Sequence, residues 1–318
     1  MSEIGGYFEL ELAKKQEYHS DALRINTARN ALEYILLQRK YSRVHIPSYS
    51  CVALLAPFRR TKTEFCFYQI NRHFEAESLS RLEKNEAMLY INYFGICDTI
   101  VKELAANVKN LIIDNSQSFY SLPHPGIDTF YSARKFFGVP DGAYLYTTIR
   151  PENLLEEDRS WERFKHLLLR IDRNTEAGFD AFQENERLID TLPLKAMSPV
   201  TRRLLSSIDY ESIQTAREKN FRFLHEAIGK KNDLPIDIDN ISAPLVYPFL
   251  VKKGRMLRQL LLNHKIYCAT YWPNLNDRLP AECFEMRLVR DMVALPVDQR
   301  YDIENMNALA TIINNITA

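Results

Sequence analysis

Two polar residues stand directly after predicted strands, where parallel sheets usually carry their chemistry. Asp114 follows the apolar run 111–113, and Lys135 follows the strand pattern at 128–131. Open parallel sheets bind ligands beyond the carboxyl ends of their strands, so this carboxylate and this amine are the first candidates for a site. A carboxylate buried in such a place needs a partner, because an isolated buried charge is costly.

Each of these two residues has two interpretations. A pyridinium N–H is a suitable partner for Asp114, since the ion pair keeps a cofactor ring protonated as an electron sink. Local context alone favours an aspartate that caps the next turn. Lys135 fits either a Schiff-base lysine with a nucleophilic amine or a surface lysine with a packed stem. Ser132, three residues before Lys135, is close enough to offer its hydroxyl to a phosphate.

A third candidate is the amino end of the first long helix. Asn26 is a good N-cap residue, and Thr27, Ala28 and Arg29 would present free backbone N–H groups there. Helix N-termini bind phosphate through those donors and the helix dipole. A plain capped helix is the alternative.

The first half of the chain alternates predicted strands and helices, which positions these residues. This alternation predicts an α/β fold with a mostly parallel sheet and helices on both faces. The predicted strands are 43–46, 64–68, 87–91, 111–113, 128–131 and 143–147, and the predicted helices are 26–40, 50–59 and 98–108.

The second half has a different character. Residues 152–230 are charged and helical in pattern, and a final helix is expected at 301–316. Strand-like runs return at 243–251, 265–269 and 292–296. We therefore expect a large domain at 1–231, with the helical segment 152–230 in it, and a smaller C-terminal α+β domain at 232–318.

Composition excludes several classes of protein. Lysine plus arginine (41) equals aspartate plus glutamate (41), so no electrostatic footprint for nucleic acid or an acidic membrane is expected. No apolar run approaches the roughly 18–20 residues of a membrane span, and the first residues lack the apolar core of a signal peptide. We expect a cytoplasmic protein without nucleic-acid or membrane partners.

Cysteine usage indicates neither a disulfide framework nor a metal site. The five cysteines are scattered without a CxxC pair. His264 and Cys268 lie four residues apart, but no second ligand pair follows them, so no metal is expected.

Taken in order, the candidate segments resemble the DegT/DnrJ/StrS family, whose best-known members are pyridoxal-phosphate (PLP) dependent sugar aminotransferases of fold type I. The family's phosphate motif is similar to residues 26–29, and its Pro-Ser-Tyr-Thr stretch is similar to 47–50, which Cys51 follows. Its aspartate, with a glutamine three residues later, is similar to Asp114 and Gln117. Its lysine motif and following glycines are similar to FYSARK and GVPDGAYLY.

This resemblance implies an aspartate-aminotransferase-like fold with a small C-terminal α+β domain, and a homodimer. It places the PLP Schiff base on Lys135, the pyridine nitrogen against Asp114, and the phenolic side of the cofactor against Gln117. The implied reaction is transamination from an amino donor, usually glutamate or glutamine, to a keto-sugar, with a nucleotide-linked sugar as the first expectation. Other PLP reactions, such as elimination, use the same lysine and aspartate.

Departures from the family pattern support a second hypothesis. Asn26 replaces the motif glycine, and Arg29 and Arg134 replace small or hydroxylated residues. Cys51 stands where many members have an aromatic residue stacked on the pyridine ring, and Tyr93 is a candidate substitute. The alternative is therefore a catalytically silent relative that binds PLP or an amino sugar as a sensor or scaffold. An α/β protein without PLP is the third hypothesis.

Overall fold

The computed structural model describes residues 4–77, 81–151, 153–275 and 279–317. The other positions within the two predicted domains, including Glu152 at the start of the predicted helical segment, lie outside the described residues. No helix in the described part of the chain is long and apolar enough to cross a membrane.

Eight strands among the described residues form one sheet. In chain order they are β1 (Leu23–Ile25), β2 (Arg43–Pro47), β3 (Glu64–Ile70), β4 (Ala76–Glu77), β5 (Glu86–Ile91), β6 (Leu111–Asn115), β7 (Asp128–Ser132) and β8 (Ala143–Tyr146). Their order in the sheet is β1-β8-β7-β6-β5-β2-β3-β4. The neighbours β7, β6, β5, β2 and β3 run parallel, whereas β8 is antiparallel to both β1 and β7. The prediction of a mostly parallel sheet is confirmed.

Three helices in the described first half connect these strands: α1 (Ala28–Arg39), α2 (Leu55–Thr61) and α3 (Asp98–Asn107). Helix α1 packs on β7 and β8 and buries Ala31, Leu32 and Ile35, as its apolar stripe predicts. Its N-cap is Thr27 and not the expected Asn26. The Thr27 hydroxyl accepts the N–H of Asn30, because the Asn26 side chain is engaged elsewhere.

The segment predicted as helical at 152–230 contains four helices in its described residues. These are α4 (Lys165–Asp172), α5 (Thr175–Thr191), α6 (Pro199–Leu205) and α7 (Tyr210–Ile228). Residues 153–160 are not helical, which corrects the prediction there. Their backbone pairs instead with Ala196, whose N–H donates to the Glu156 carbonyl at 2.9 Å and whose carbonyl accepts the Asp158 N–H at 2.9 Å. This tertiary pairing replaces the local helical bonds.

The C-terminal part combines a small sheet with three helices among its described residues. They are β9 (Val246–Leu250), α8 (Gly254–Asn263), α9 (Phe284–Asp291), β10 (Met292–Pro296) and α10 (Ile303–Ile316). Strands β9 and β10 are antiparallel, and α10 packs on α7. The predicted strand 265–269 is wrong, since only Ala269 forms a single bridge, to Ala294. Lys265 has a left-handed φ of 58°, which interrupts an extended strand. The boundary at 231/232 stays a prediction.

Candidate active site

The ends of β6 and β7 meet at a cavity of about 570 Å³. Asp114 lies on β6 opposite Phe130 of β7, and Lys135 lies in the short turn that follows β7. The cavity brings together eight of the ten residues that the sequence predicts to bind the cofactor: Thr27, Ala28, Arg29, Cys51, Asp114, Gln117, Ser132 and Lys135.

Lys135 and Asp114 are linked through Ser116. The Lys135 Nζ donates to Ser116 Oγ at 3.1 Å, and the Ser116 N–H donates to Asp114 Oδ1 at 2.8 Å. Asp114 is only 6% exposed, and burial raises the pKa of its carboxyl, an effect that the nearby Lys135 charge and the Ser116 hydrogen bonds oppose. The site therefore holds a carboxylate that gains from a cationic partner.

Gln117 and Ser132 are fixed parts of the cavity wall. Gln117 is buried, and its Oε1 accepts the backbone N–H of Phe94 at 2.9 Å. Phe94 has a left-handed φ of 56°, so this hydrogen bond holds a strained turn after β5 against the site. Ser132 is the last residue of β7 and is 8% exposed.

The amino end of α1 faces the cavity with Thr27, Ala28 and Arg29. Asn26 is buried but, among the described residues, is not part of the cavity wall. Its amide donates to Asp158 Oδ2 at 3.3 Å and to the Pro193 carbonyl at 3.0 Å. Asn26 therefore connects the start of α1 to the two loops that contain Asp158 and Pro193.

Two arginines at the cavity are paired with helix α5. Arg29 Nη2 lies 2.6 Å from Asp190 Oδ1, and Arg134 forms an ion pair with Glu186. The Nε atoms of both arginines are buried and have no hydrogen-bond partner among the described residues. Sequence reasoning identified the arginines and missed their α5 partners, because a contact across some 50 to 160 residues leaves no local pattern.

The aromatic residues of the site differ from the expectation. Cys51 is exposed and lines the cavity, and its side chain provides no aromatic ring there. Tyr93 is fully buried, with its hydroxyl donating to the Tyr49 carbonyl at 2.9 Å, and is not among the described residues of the cavity wall. Trp272, from the C-terminal part, does line the cavity and packs edge-on against Tyr49 at 4.5 Å between ring centroids. The one sequence signal for Trp272 is that the chain has only two tryptophans.

A second cavity of about 450 Å³ adjoins the same loop, and Arg134 and Lys135 line both cavities. Its wall includes Arg217, which is 2% exposed and lies 4.6 Å above the Phe136 ring. Burial lowers the pKa of Arg217 to about 10. Arg170 also lines this cavity, which is therefore basic and partly aromatic.

Comparison by sequence finds no matching family model and no matching curated protein. Solved structures do match. A DegT DnrJ EryC1 StrS aminotransferase from Brucella abortus is 13% identical, with 93% of this chain and 85% of that chain covered at a TM-score of 0.63. DesV from S. venezuelae, in complex with a ketimine intermediate, is 15% identical, with 92% and 84% covered at 0.65. NtdA from Bacillus subtilis, with bound cofactor PMP, is 11% identical, with 93% and 73% covered at 0.66.

At these identities the likeness shows the fold. The chain has the aspartate-aminotransferase-like fold of type I, in the arrangement found in DegT/DnrJ/EryC1/StrS aminotransferase structures, over nearly its whole length. The resemblance drawn from the sequence motifs is thus confirmed at the level of fold.

Proposed function

We propose that this protein is a PLP-dependent aminotransferase that moves an amino group, from glutamate or glutamine, to a keto-sugar. One observation carries the proposal: an amine and a buried carboxylate face the same cavity and are linked by Ser116 within hydrogen-bond distances of 3.1 and 2.8 Å. The fold is that of structures whose names state this activity for other proteins.

The donor set of the cavity fits PLP. Asp114 would pair with the pyridine nitrogen, because its raised pKa reflects a burial cost that a cationic N–H offsets. The start of α1 and Ser132 would hold the phosphate through N–H and O–H donors. The buried, unpartnered Nε atoms of Arg29 and Arg134 are further donors that an anion would satisfy. Gln117 would face the phenolic oxygen.

When bound, the cofactor supplies an aldehyde that accepts amino groups and a protonated ring that withdraws electrons. Lys135 would hold the cofactor through its amine and, once free, carry the proton during transfer. Ser116 would orient that amine, since its hydroxyl accepts from Nζ. The second, basic cavity, which Arg134 and Lys135 also line, is the proposed place of the acceptor.

Trp272 is the proposed aromatic surface for the cofactor ring. Cys51 offers no ring at the cavity, and Tyr93 lies in the core. Trp272 is held edge-on by Tyr49 and by Tyr271, at centroid distances of 4.5 and 5.6 Å, and borders the cavity from the C-terminal part. Offset or edge-on aromatic contacts of this kind stabilise a bound ring.

A catalytically silent binder of PLP or an amino sugar is the second candidate. The exposed Cys51 and the inward-turned Asn26 favour it, since both replace residues that the family uses on its cofactor. We also propose a homodimer with small-molecule partners, and a solution mass of one 37.2 kDa chain would contradict that part.

Adding glutamate to the protein loaded with PLP separates the two candidates. An aminotransferase loses its yellow absorbance and releases one equivalent of 2-oxoglutarate per site in a single turnover. Lys135→Ala serves as the control and should release none. A yellow protein whose spectrum no amino donor changes would refute transamination in favour of the silent binder.

A further inference from the structure

Helix α5 places two carboxylates, one turn apart, against the two arginines at the proposed phosphate end of the cavity. Glu186 pairs with Arg134, and Asp190 pairs with Arg29. All four side chains line the cavity. The two guanidinium charges are thus paired with carboxylates of this chain.

The two ion pairs are weak enough to be exchanged. The carboxylates of Glu186 and Asp190 are 45% and 64% exposed, and ion pairs with exposed partners contribute little. The arginines are mostly buried, at 18% and 13%, so their position changes less easily than that of their partners. A phosphate that arrives at these arginines has to compete with α5 for the same donors.

Helix α5 has contacts other than these carboxylates that hold it in place. Ile189 is 3% exposed, and Asn185 is 2% exposed with its amide directed to the Pro140 carbonyl at 3.4 Å. The Ile189 carbonyl also accepts from Arg29 Nη1 at 3.1 Å. Neutral variants of the two acids should therefore keep the helix docked.

We propose that Glu186 and Asp190 are internal anions that occupy the phosphate-binding arginines and so set the affinity for the phosphorylated cofactor. This inference rests on the proposed function. It makes α5 a regulatory element of the site: a bound phosphate replaces the Glu186 and Asp190 carboxylates as the partner of Arg134 and Arg29, and loss of phosphate restores the two ion pairs.

The test is a pair of absorbance titrations of the cofactor-free protein, one with PLP and one with pyridoxal, which lacks the phosphate. The variant is Glu186→Gln with Asp190→Asn, and the matched control is Glu184→Gln, an exposed acid on α5 outside the described cavity wall. The loss of two ion pairs with exposed carboxylates corresponds to roughly a two- to thirty-fold lower Kd for PLP. The Kd for pyridoxal should not change.

The outcomes separate this inference from the proposed function. Tighter PLP binding in the double variant alone, without a change for pyridoxal, supports the inference. Equal or weaker PLP binding than in the Glu184→Gln control, or an equal gain for pyridoxal, overturns the inference and leaves the proposed function standing. A wild-type protein that acquires no absorbance with PLP overturns both.

Discussion

The buried carboxyl of Asp114 affects both the stability of the folded protein and its affinity for a cationic ligand group. Burial raises the pKa of this carboxyl above the ordinary value of 3.8, because the charged form is harder to hold in the folded protein than in the unfolded chain. The charged form therefore destabilises this protein above the raised pKa, and the penalty disappears as the pH falls below 3.8. A cationic partner at the site offsets the same penalty.

We expect Asp114→Asn to stabilise the cofactor-free protein at neutral pH, because the amide keeps an acceptor for the Ser116 N–H and carries no charge. Amino transfer should fall roughly 10²-fold or more, as when one electrostatic contact of a catalytic site is lost. Thermal unfolding at pH 7 and near pH 3.5 tests the first part. An Asp114→Asn variant that is less stable than the wild type at pH 7 would contradict the conclusion that the buried charge destabilises the folded protein.

Trp272 gives a second prediction at the residue scale. Trp272→Ala should raise the Kd for PLP roughly two- to ten-fold, the effect of losing one aromatic contact, and Trp272→Phe should restore most of the affinity. Trp161 is the other tryptophan of the chain, is 68% exposed, and provides the control as Trp161→Ala. Equal titration curves for all the variants would show that the indole does not contact the cofactor.

At the residue scale, the sequence predicted the amine, the carboxylate and the start of α1 from their places after strands and before a helix. It did not predict Trp272 or Glu186, because these residues reach the site through tertiary packing. The hypothesis that Tyr93 replaces the stacking ring rests only on its place after the strand 87–91. Order along the chain does not tell on which side of the turn after β5 a ring lies.

At the scale of elements, the turn between β7 and β8 joins the Lys135 loop to α6. Asp141 in this turn is fully buried, and its carboxylate accepts the Ser198 N–H at 2.9 Å, the Ser198 hydroxyl at 2.8 Å and the Thr201 hydroxyl. Gly142 follows with a left-handed φ of 114°, where a Cβ would lie 3.0 Å from Thr201. The turn between β7 and β8 and the start of α6 are therefore held together by the Asp141 carboxylate.

Asp141→Ala should lower the free energy of unfolding by roughly 2–4 kcal/mol, because it leaves buried donors at the start of α6 without an acceptor. Asp180→Ala, on the exposed surface of α5, should change it by less than about 0.5 kcal/mol. Denaturant titrations of both variants measure the difference. A loss for Asp141→Ala no larger than that of the control would mean that water replaces the carboxylate.

Strands and helices with a clear period were predictable, and short or tertiary-paired ones were not. Strands β1 and β4 have three and two residues, too few to show alternation. The stretch before Trp161 has a helical charge pattern but pairs with Ala196, and only Ala269 of the run 265–269 pairs with another strand. In the stretch before Trp161, the hydrogen bonds with Ala196 therefore outweigh the local preference for a helix.

At the scale of the whole molecule, an aromatic cluster joins the N-terminal segment to the loop that carries Lys135. His19 contacts the rings of Phe119 and Tyr131, and Phe119 contacts Phe136, the neighbour of Lys135. The His19 Nε2–H donates to the Phe119 carbonyl at 2.8 Å, which fixes the tautomer because a carbonyl only accepts. No local pattern predicts this link between residues about 100 positions apart.

Burial lowers the pKa of His19 from 6.5 to about 4, so the folded protein keeps the ring neutral. The stabilisation from this neutral ring is complete above pH 6.5 and is lost as the pH falls toward 4, a change of about 3 kcal/mol. Denaturant unfolding of the wild type and of His19→Gln between pH 7.5 and 4 should show a steeper fall for the wild type by about this amount. Parallel curves would contradict a buried neutral His19.

The proposed function requires Lys135 to hold the cofactor across from Asp114. Borohydride reduction of the protein loaded with PLP, followed by peptide mapping by mass spectrometry, tests it most directly. We expect one label on the peptide that contains Lys135, and no label there in Lys135→Arg. A label on a different lysine, or no label in a protein that has bound PLP, would contradict it.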